Sequence, residues 1–340
     1  MSTPTPLTLP DADDAPDVPT GTAGRDAAAD HGLDPAWVRR LVAVALDEDL
    51  GPAPGRDVTS QATIDPDARG VAHLMARQPG VVAGLVTVAE VLDQVAERLG
   101  SAPVDVELRA ADGEEVTRGQ VLAVLRGPVL VLLVAERTML NIASRASGVA
   151  THTHAWTRVL AETVGPDGRR AQVLDTRKTT PGLRELEKYA VRCGGGTNKR
   201  MGLFDVAMVK DNHVVAAGSV TAAVHKVQEA FPGVDIQVEA DTRAQALEAL
   251  DAGARFLLLD NMSTAQLSEV VVAVRAWEQA AARGLGPDEP APHVELEATG
   301  NLTLDRAREV AATGVDHLSV GALTHSSPIL DLALDLVERG

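Results

Sequence analysis

The second half of the chain alternates short apolar runs with amphipathic helical stretches, and this rhythm constrains the fold more than any other feature. The apolar runs cover residues 172–174, 206–209, 236–238, 256–259, 294–296 and 317–320. Helical stretches fill residues 220–230, 244–250, 265–281 and 304–311, each preceded by an N-cap candidate: Ser219, Thr242, Ser263 and Thr303. The pattern predicts buried parallel strands joined by helices, arranged as a doubly wound sheet or as a (β/α) barrel.

The first half of the chain has a different organisation. Strand-like runs at 71–76, 104–108 and 121–125, with a helical stretch at 86–99, predict a small α/β domain. Residues 131–146 and 151–162 are predicted as two separate helices. We therefore divide the chain into a tail at 1–33, an α/β domain with an N-terminal helix at 34–150, and a barrel domain at 151–340. The end of the chain is a candidate to pack back on the N-terminal domain.

Composition narrows the classes of partner and compartment. The 340 residues carry a net charge of −17, which argues against nucleic acid or an anionic membrane as a partner. The acidic tail lacks the basic start and apolar stretch of a secretory signal, so we expect it to be disordered. The apolar run at 129–135 is too short to span a bilayer. Cys193, the single cysteine, excludes an intramolecular disulfide framework and fits a reducing compartment, so a cytoplasmic location is predicted.

Polar residues stand at or just beyond the ends of the predicted C-terminal strands. They are Asp175 with Arg177 and Lys178, then Lys210, Glu239, Asp260, Glu297, and Ser319 with Gly321. In a barrel these strand ends converge on one mouth, where barrel enzymes place their chemistry. Each residue alone is as well explained by loop capping or ion pairing. Six such strand ends in succession favour a barrel with a polar mouth.

Cations are concentrated between residues 169 and 213. This segment holds ten lysines or arginines and five acids, a local charge of +5 in an acidic chain. Arg184, Lys188 and Arg192 have the spacing of one solvated helical stripe. Arg177, Lys178, Arg200 and Lys210 adjoin strand ends or a glycine-rich loop instead, and they predict a pocket for a multiply anionic substrate.

Two late loops and two carboxylates complete the predicted mouth. The loops Thr299-Gly300-Asn301 and Ser319-Val320-Gly321 follow successive strands, where glycine lets backbone N–H groups close around a phosphate. Glu239 and Asp260, on adjacent predicted strands, are candidates to hold ribose hydroxyls or a Mg²⁺ ion carried by a diphosphate. His152 and His154 lack a third ligand nearby and are not assigned to a metal.

Several blocks together resemble the quinolinate phosphoribosyltransferase family. The blocks are residues 175–184, 187–191, 194–196, Asn198 with Arg200, 210–213, 259–262 and 314–316, with further matches at 48–51, 57–60, 136–141 and 147–151. Their order and spacing are far more specific than one glycine motif. The resemblance implies an N-terminal α/β sandwich domain, a C-terminal open (β/α) barrel, and a homodimer in which Arg137 acts across the interface.

The resemblance also implies a reaction and a set of roles. Quinolinate and phosphoribosyl pyrophosphate would give nicotinate mononucleotide, CO₂ and pyrophosphate, with Mg²⁺ as cofactor. Arg137, Arg177 and Arg200 would bind the carboxylates of quinolinate. Lys178, Lys210, Glu239 and Asp260 are the implied catalytic residues, and Glu239 and Asp260 would also hold the metal. Thr299, Gly300, Asn301, Ser319 and Gly321 would bind the phosphate.

Two positions depart from the family pattern. Lys199 stands where the family commonly has a histidine, so a cation is kept as a substrate-binding candidate but any role for an imidazole is lost. Thr299-Gly300-Asn301 replaces the more usual Ser-Gly-Gly and should modestly alter the phosphate loop.

Two other functions fit the same barrel. One is a related pyrophosphorylase-like protein of molybdenum transport. The other is a Schiff-base aldolase with Lys210 as nucleophile, which would need an apolar pocket that lowers the pKa of Lys210. The charged neighbourhood of Lys210 disfavours the aldolase. A non-catalytic binding module would leave the polar mouth unexplained.

Overall fold

The computed structural model describes residues 32–283 and 292–339. The predicted tail at 1–33 therefore lies outside the described residues except for Gly32 and Leu33. The described N-terminal part is built on a four-stranded antiparallel sheet. Its strands are β1 (Arg69–Ala76), β3 (Asp105–Leu108), β5 (Val121–Pro128) and β12 (Leu332–Arg339), and they lie in the order β12-β1-β5-β3. A small ladder joins β2 (Gly80–Val81) to β4 (Glu115–Val116).

Four α-helices belong to this described part of the chain, and the three long ones bury apolar side chains. The helices are α1 (Pro35–Leu50), α2 (Ser60–Thr63), α3 (Val88–Leu99) and α4 (Val129–Ala161). Val91, Leu92 and Val95 of α3 are fully buried, and α3 packs against both α1 and α4. Burial of these apolar side chains is the main contribution that stabilises the packing of α3 against α1 and α4.

The helix α4 links the two halves of the molecule as one continuous element of 33 residues. The prediction of two helices at 131–146 and 151–162 is wrong, because Gly148 alone does not end a helix. Its missing side chain serves close packing instead: a Cβ at Gly148 would lie 2.0 Å from the carbonyl oxygen of Pro328. The segment that leads into β12 therefore crosses α4 at this residue.

The C-terminal half is an open (β/α) barrel. Its parallel strands are β6 (Gln172–Leu174), β7 (Ala207–Val209), β8 (Ile236–Ala240), β9 (Phe256–Asp260), β10 (Glu295–Thr299) and β11 (His317–Ser319). Their order is β6-β11-β10-β9-β8-β7, so the first strand of the unit pairs with its last, as in a barrel and not in a doubly wound sheet. In the described part of the chain β6 and β7 form the two ends of this sheet, and the barrel is open between them.

Helices follow the strands around the barrel. They are α5 (Arg184–Cys193), α6 (Asp211–Ala217), α7 (Val220–Ala230), α8 (Arg243–Asp251), α9 (Thr264–Ala282), α10 (Ala307–Ala311) and α11 (Ala322–His325). Ser219, Thr242 and Ser263 accept backbone N–H bonds at the starts of α7, α8 and α9, as predicted. Thr303 precedes a 3₁₀ turn and makes no such bond with its side chain.

The last strand, β12, leaves the barrel and pairs antiparallel with β1, with Leu74 opposite Leu334. Residues from both ends of the chain therefore share one sheet. None of the helices in 32–283 and 292–339 is both long enough and apolar enough to cross a bilayer.

Candidate active site

The predicted polar residues gather at the carboxyl end of the barrel. Lys210 directly follows β7, Asp260 and Thr299 end β9 and β10, and Ser319 ends β11. Because the strands are parallel, their carboxyl ends open on the same side. This set of strand ends, with the loops that follow, forms the mouth of the barrel.

Arg177 and Arg200 are neighbours in the mouth, and neither forms a salt bridge within the described chain. Burial is the main cause that lowers the pKa of Arg200, the nearby charge of Arg177 lowers that pKa further, and the charge of Asp205 opposes this shift. Arg200 donates to the carbonyl oxygen of Val206 at 2.9 Å. The buried Nε of Arg177 has no hydrogen-bond partner among the described residues. Two adjacent guanidinium groups with free hydrogen-bond donors are suited to a ligand that carries two negative charges.

A buried ion pair lies beside these arginines. Asp175 and Lys188 are both fully buried and in direct contact. The expectation that Lys188 belongs to a solvated stripe is therefore wrong. Its ammonium group can enter the interior because the carboxylate of Asp175, which follows β6, compensates its charge. Arg184 and Arg192, the other members of the predicted stripe, are only partly buried.

Lys199 is also paired internally. Its Nζ lies 2.6 Å from Oε1 of Glu297, a fully buried residue of β10, and its own side chain is 7% exposed. Burial is the main cause that lowers the pKa of Lys199, and contact with Glu297 opposes this shift. The second carboxylate oxygen of Glu297 has no partner in the described chain. Lys199 thus faces the barrel interior, and one carboxylate there already balances its charge.

Carboxylates form an acidic cluster on the other side of the mouth. Ligand oxygens of Glu239, Asp241 and Asp260 lie within 4.8 Å of one another. Burial raises the pKa of Asp260, and the charges of Glu239 and Asp241 raise it further. Three converging oxygen donors match the coordination preference of Mg²⁺, so these residues fit the implied metal. Lys210 borders the cluster, with its Nζ 3.1 Å from Oε2 of Glu239.

In both predicted phosphate loops, a neighbouring residue lies close to the backbone of the glycine. Gly300 has φ +94°, and a Cβ there would lie 2.3 Å from Oδ1 of Asn261. Asn301 also has a left-handed backbone, with φ 48°. A Cβ at Gly321 would lie 3.0 Å from Cδ of Lys178 and 3.2 Å from Nε2 of His325. Only glycine therefore fits at these two turns without a shift of the neighbouring groups.

Two residues of the mouth were missed from the sequence. Asp241 lies beyond the end of β8, and its spacing of two residues from Glu239 was an available signal. His325 ends α11, one helical turn after Gly321, and it stands beside the side chain of Lys178. Lys178 itself is tied to α11, because Thr324 Oγ1 donates to its carbonyl oxygen at 2.8 Å.

Arg137 lies apart from the other predicted site residues. It is exposed on α4 and lines a cavity of about 300 Å³ together with Leu140, Asn141, Ser144, Ile329, Asp331 and Leu332. None of these lining residues belongs to the mouth. Within one chain the structure does not bring Arg137 to the arginines of the barrel.

Comparison with known proteins gives consistent matches over both halves. Residues 57–147 match the family model of the quinolinate phosphoribosyl transferase N-terminal domain, and residues 149–335 match that of the C-terminal domain. The chain is 43% identical to a nicotinate-nucleotide pyrophosphorylase [carboxylating] of Mycobacterium leprae, over 88% of this chain and 96% of the relative. It is 36% identical to a quinolinate phosphoribosyltransferase [decarboxylating] of Nicotiana glauca, over 88% of this chain and 82% of that one.

Solved structures give the same result for the fold. The solved structure of the nicotinate-nucleotide pyrophosphorylase of Francisella tularensis superposes with a TM-score of 0.77 at 31% identity, covering 90% of this chain and 98% of that chain. The similarity extends over both the sheet domain and the barrel.

Proposed function

The chain belongs to the quinolinate phosphoribosyltransferase family, and from this premise we propose how its barrel mouth performs the reaction. The enzyme is a pentosyltransferase that converts quinolinate and phosphoribosyl pyrophosphate to nicotinate mononucleotide, CO₂ and pyrophosphate. The observation that carries the proposed site is the pair Arg177 and Arg200, two neighbouring guanidinium groups that form no salt bridge within the described chain.

We propose that Arg177 and Arg200 bind the two adjacent carboxylates of quinolinate. Each planar guanidinium can donate two parallel hydrogen bonds to one carboxylate, which fixes the plane of the ring as well as its position. Arg200 already uses one donor on Val206, so its remaining donors have a restricted direction. The ring nitrogen would then face the side of the mouth that holds the acidic cluster.

The second substrate fits the opposite side of the mouth. Glu239 and Asp260 would hold the ribose hydroxyls, and with Asp241 they would hold Mg²⁺. When bound, that ion neutralises diphosphate charge in the leaving group. Lys178 and Lys210 would contact the phosphates as mobile point charges. The loops at 299–301 and 319–321 offer backbone N–H groups to the 5′-phosphate, and His325 stands close enough to Lys178 to join them.

Positioning and charge supply the catalysis in this arrangement. The lone pair of the pyridine nitrogen forms the bond to C1 of the ribose as the bond from C1 to the pyrophosphate oxygen breaks. The carboxylates of Glu239 and Asp260 stabilise positive charge that develops on the sugar. The bond from C2 of the ring to the 2-carboxylate then breaks and releases CO₂. The electron pair of that bond stays on C2, where the charge of the adjacent positive ring nitrogen stabilises it, and C2 then takes up a proton from water. No covalent enzyme intermediate is required.

Arg137 would complete the site from a second copy of the chain. Its exposed position in a separate cavity supports a role away from its own barrel. We therefore propose a homodimer in which each mouth receives Arg137 of the other protomer. The cytoplasm is the proposed compartment, because one cysteine cannot form an intramolecular disulfide.

The rival functions are less well supported. The curated relatives and family models carry the quinolinate enzyme's name, and none of those cited is a molybdenum transport protein. A Schiff-base lysine needs an apolar pocket, whereas Lys210 is 47% exposed and pairs with Glu239.

The proposal is tested by product analysis with quinolinate labelled in its 2-carboxylate. We expect labelled CO₂, nicotinate mononucleotide and pyrophosphate in equal amounts, only when phosphoribosyl pyrophosphate and Mg²⁺ are both present. Arg200→Ala should lower kcat/KM for quinolinate by about 100-fold or more, because one carboxylate loses its partner. Arg158→Ala, at an exposed position of α4, is the matched control and should leave the rate unchanged. Absence of labelled CO₂ from the parent enzyme would refute the assignment.

A further inference from the structure

One buried carboxylate connects the two chain segments that carry the proposed quinolinate ligands. Asp175 is fully buried and accepts hydrogen bonds from three donors besides its own chain neighbours. They are Lys188 Nζ, Asn198 Nδ2 at 2.6 Å and the backbone N–H of Lys199 at 2.9 Å. Asp175 precedes Arg177 by two residues, and Asn198 precedes Arg200 by two residues. The carboxylate therefore joins the segment leading to one arginine to the segment leading to the other.

This connection lies at the opening of the barrel, where no strand of the sheet pairs with the outer edge of β6. The only backbone pairing there is short: Thr197 donates to Val173 at 2.9 Å, and Asp175 donates to Thr197 at 3.2 Å. Apart from these two bonds, the described backbone has no hydrogen-bonded pairing between the segment after β6 and the segment around Thr197. The Asp175 side chain continues the pairing for two more residues, up to Lys199.

Lys188 makes the buried carboxylate possible and braces the same segment. Its Nζ also donates to the carbonyl oxygen of Lys199 at 3.0 Å, and its own carbonyl oxygen accepts from Asn198 Nδ2 at 2.9 Å. The helix α5 that carries Lys188 is fixed from outside, because Tyr189 donates to Asp112 of the N-terminal part at 2.7 Å. The residues 198–199 are thus held on two sides by groups that water does not reach.

We propose that Asp175 is a positioning residue for the quinolinate reaction, whose buried carboxylate sets the separation and orientation of Arg177 and Arg200. The inference rests on the proposed function, since it assumes that these arginines bind the two carboxylates. Loss of Asp175 is therefore expected to affect the binding of quinolinate more than the binding of phosphoribosyl pyrophosphate. Most groups proposed for phosphoribosyl pyrophosphate, on β8, β9, the residue after β7 and the loops after β10 and β11, form no hydrogen bond with Asp175. Lys178 is the exception in position, since it follows Arg177, but Thr324 of α11 also holds its carbonyl oxygen.

The test uses two double variants of the full-length enzyme that remove the same pair of charges. Asp175→Leu with Lys188→Met leaves the backbone N–H of Lys199 without its acceptor and leaves Asn198 only the carbonyl oxygen of residue 188. Asp175→Asn with Lys188→Met keeps an amide oxygen for the Lys199 N–H. Replacing both partners avoids an unpaired buried charge, so both proteins should fold. Asp316→Asn is the matched control, because Asp316 is a nearly buried carboxylate that accepts from Arg275 and Leu296 at the other end of the barrel.

Steady-state kinetics and thermal melting are measured on all four proteins. We expect the leucine variant to raise the KM for quinolinate by about 100-fold, the effect of a displacement of about 1 Å at a reacting group. The KM for phosphoribosyl pyrophosphate should stay within about 3-fold of the parent. The asparagine variant should recover most of the quinolinate KM at a similar Tm. The control should melt earlier than the parent with both KM values unchanged.

An unchanged quinolinate KM in the leucine variant would overturn the inference, as would an equal rise in both KM values. If that variant does not fold, Asn198→Ala replaces it, and the same selective rise in quinolinate KM is required. Failure of the proposed function gives a different result, because the parent enzyme itself would then release no CO₂ from quinolinate.

Discussion

At the scale of single residues, the decisive property of each mouth cation is whether a carboxylate of the protein already neutralises it. Lys188 and Lys199 are paired in the interior with Asp175 and Glu297. Arg177 and Arg200 form no salt bridge in the described chain, although the charge of Asp205 acts on Arg200, and both are available to a ligand. All four look alike in the sequence, because their spacing places them near strand ends but says nothing about which acids reach them.

The pairing of Lys199 with Glu297 leads to a stability prediction. Lys199→Met leaves the carboxylate of Glu297 buried and uncompensated, so we expect a loss of about 3–5 kcal/mol in the free energy of unfolding. Lys199→Met combined with Glu297→Gln removes both charges and should recover most of that loss. Urea unfolding measures both values. Equal losses in the single and the double variant would show that the ion pair does not hold Lys199 in place.

At the scale of helices and strands, the sequence predicts the regular elements of the fold but not how they are connected. The C-terminal strand runs and the helices α7, α8 and α9 follow from apolar periodicity and polar caps, and each was predicted within a few residues. The continuity of α4 was missed, because one glycine looks like a break when its packing partner is unknown. That partner, the segment around Pro328, comes from a distant part of the chain.

The contact between α4 and this returning segment is expected to make stability depend on pH. Nδ1 of His152 lies 2.8 Å from Oγ of Ser327, and burial lowers the pKa of His152 below its ordinary value of 6.5. Since the unfolded chain then binds the proton more tightly, this contribution is complete above about pH 6.5 and is lost as the pH falls below that value. Acidification should therefore loosen α4 from the segment that leads to β12.

His152→Gln checks this expectation, because glutamine keeps a donor for Ser327 and does not titrate. We expect the drop in Tm between about pH 7.5 and about pH 5.5 to be smaller in the variant than in the parent. His225→Gln, on α7 and away from this contact, is the control. The same drop in all three proteins would mean that the charge on His152 does not contribute.

At the scale of the whole molecule, the mouth of one chain lacks the third arginine that the family resemblance assigns to it. The barrel, its polar mouth and the family were all predicted from ordered motifs. The internal pairing of Lys188, the role of Asp241 and the position of His325 were not. These depend on side-chain directions in loops, which periodicity does not determine. Arg137 is the remaining prediction, because its role requires a second chain.

A complementation experiment tests the shared site. Arg137→Ala and Lys210→Ala should each abolish turnover alone. In mixed dimers, one mouth combines an intact Lys210 with an intact Arg137 from its partner, so random mixing should restore about a quarter of the parent activity. Mixing Arg137→Ala with Arg137→Ala carrying a different affinity tag is the control and should restore nothing. Absence of rescue in verified mixed dimers would place Arg137 outside the partner's site.

We claim that Arg177 and Arg200 together select a dicarboxylated ring for transfer to an activated sugar. The most direct measurement compares kcat/KM for quinolinate and for nicotinate, which lacks the 2-carboxylate, with phosphoribosyl pyrophosphate and Mg²⁺. We expect quinolinate to be preferred by about 10⁴-fold, because nicotinate leaves one partly buried arginine of the site without its carboxylate partner. Nicotinate turnover within about 10-fold of quinolinate would contradict the claim.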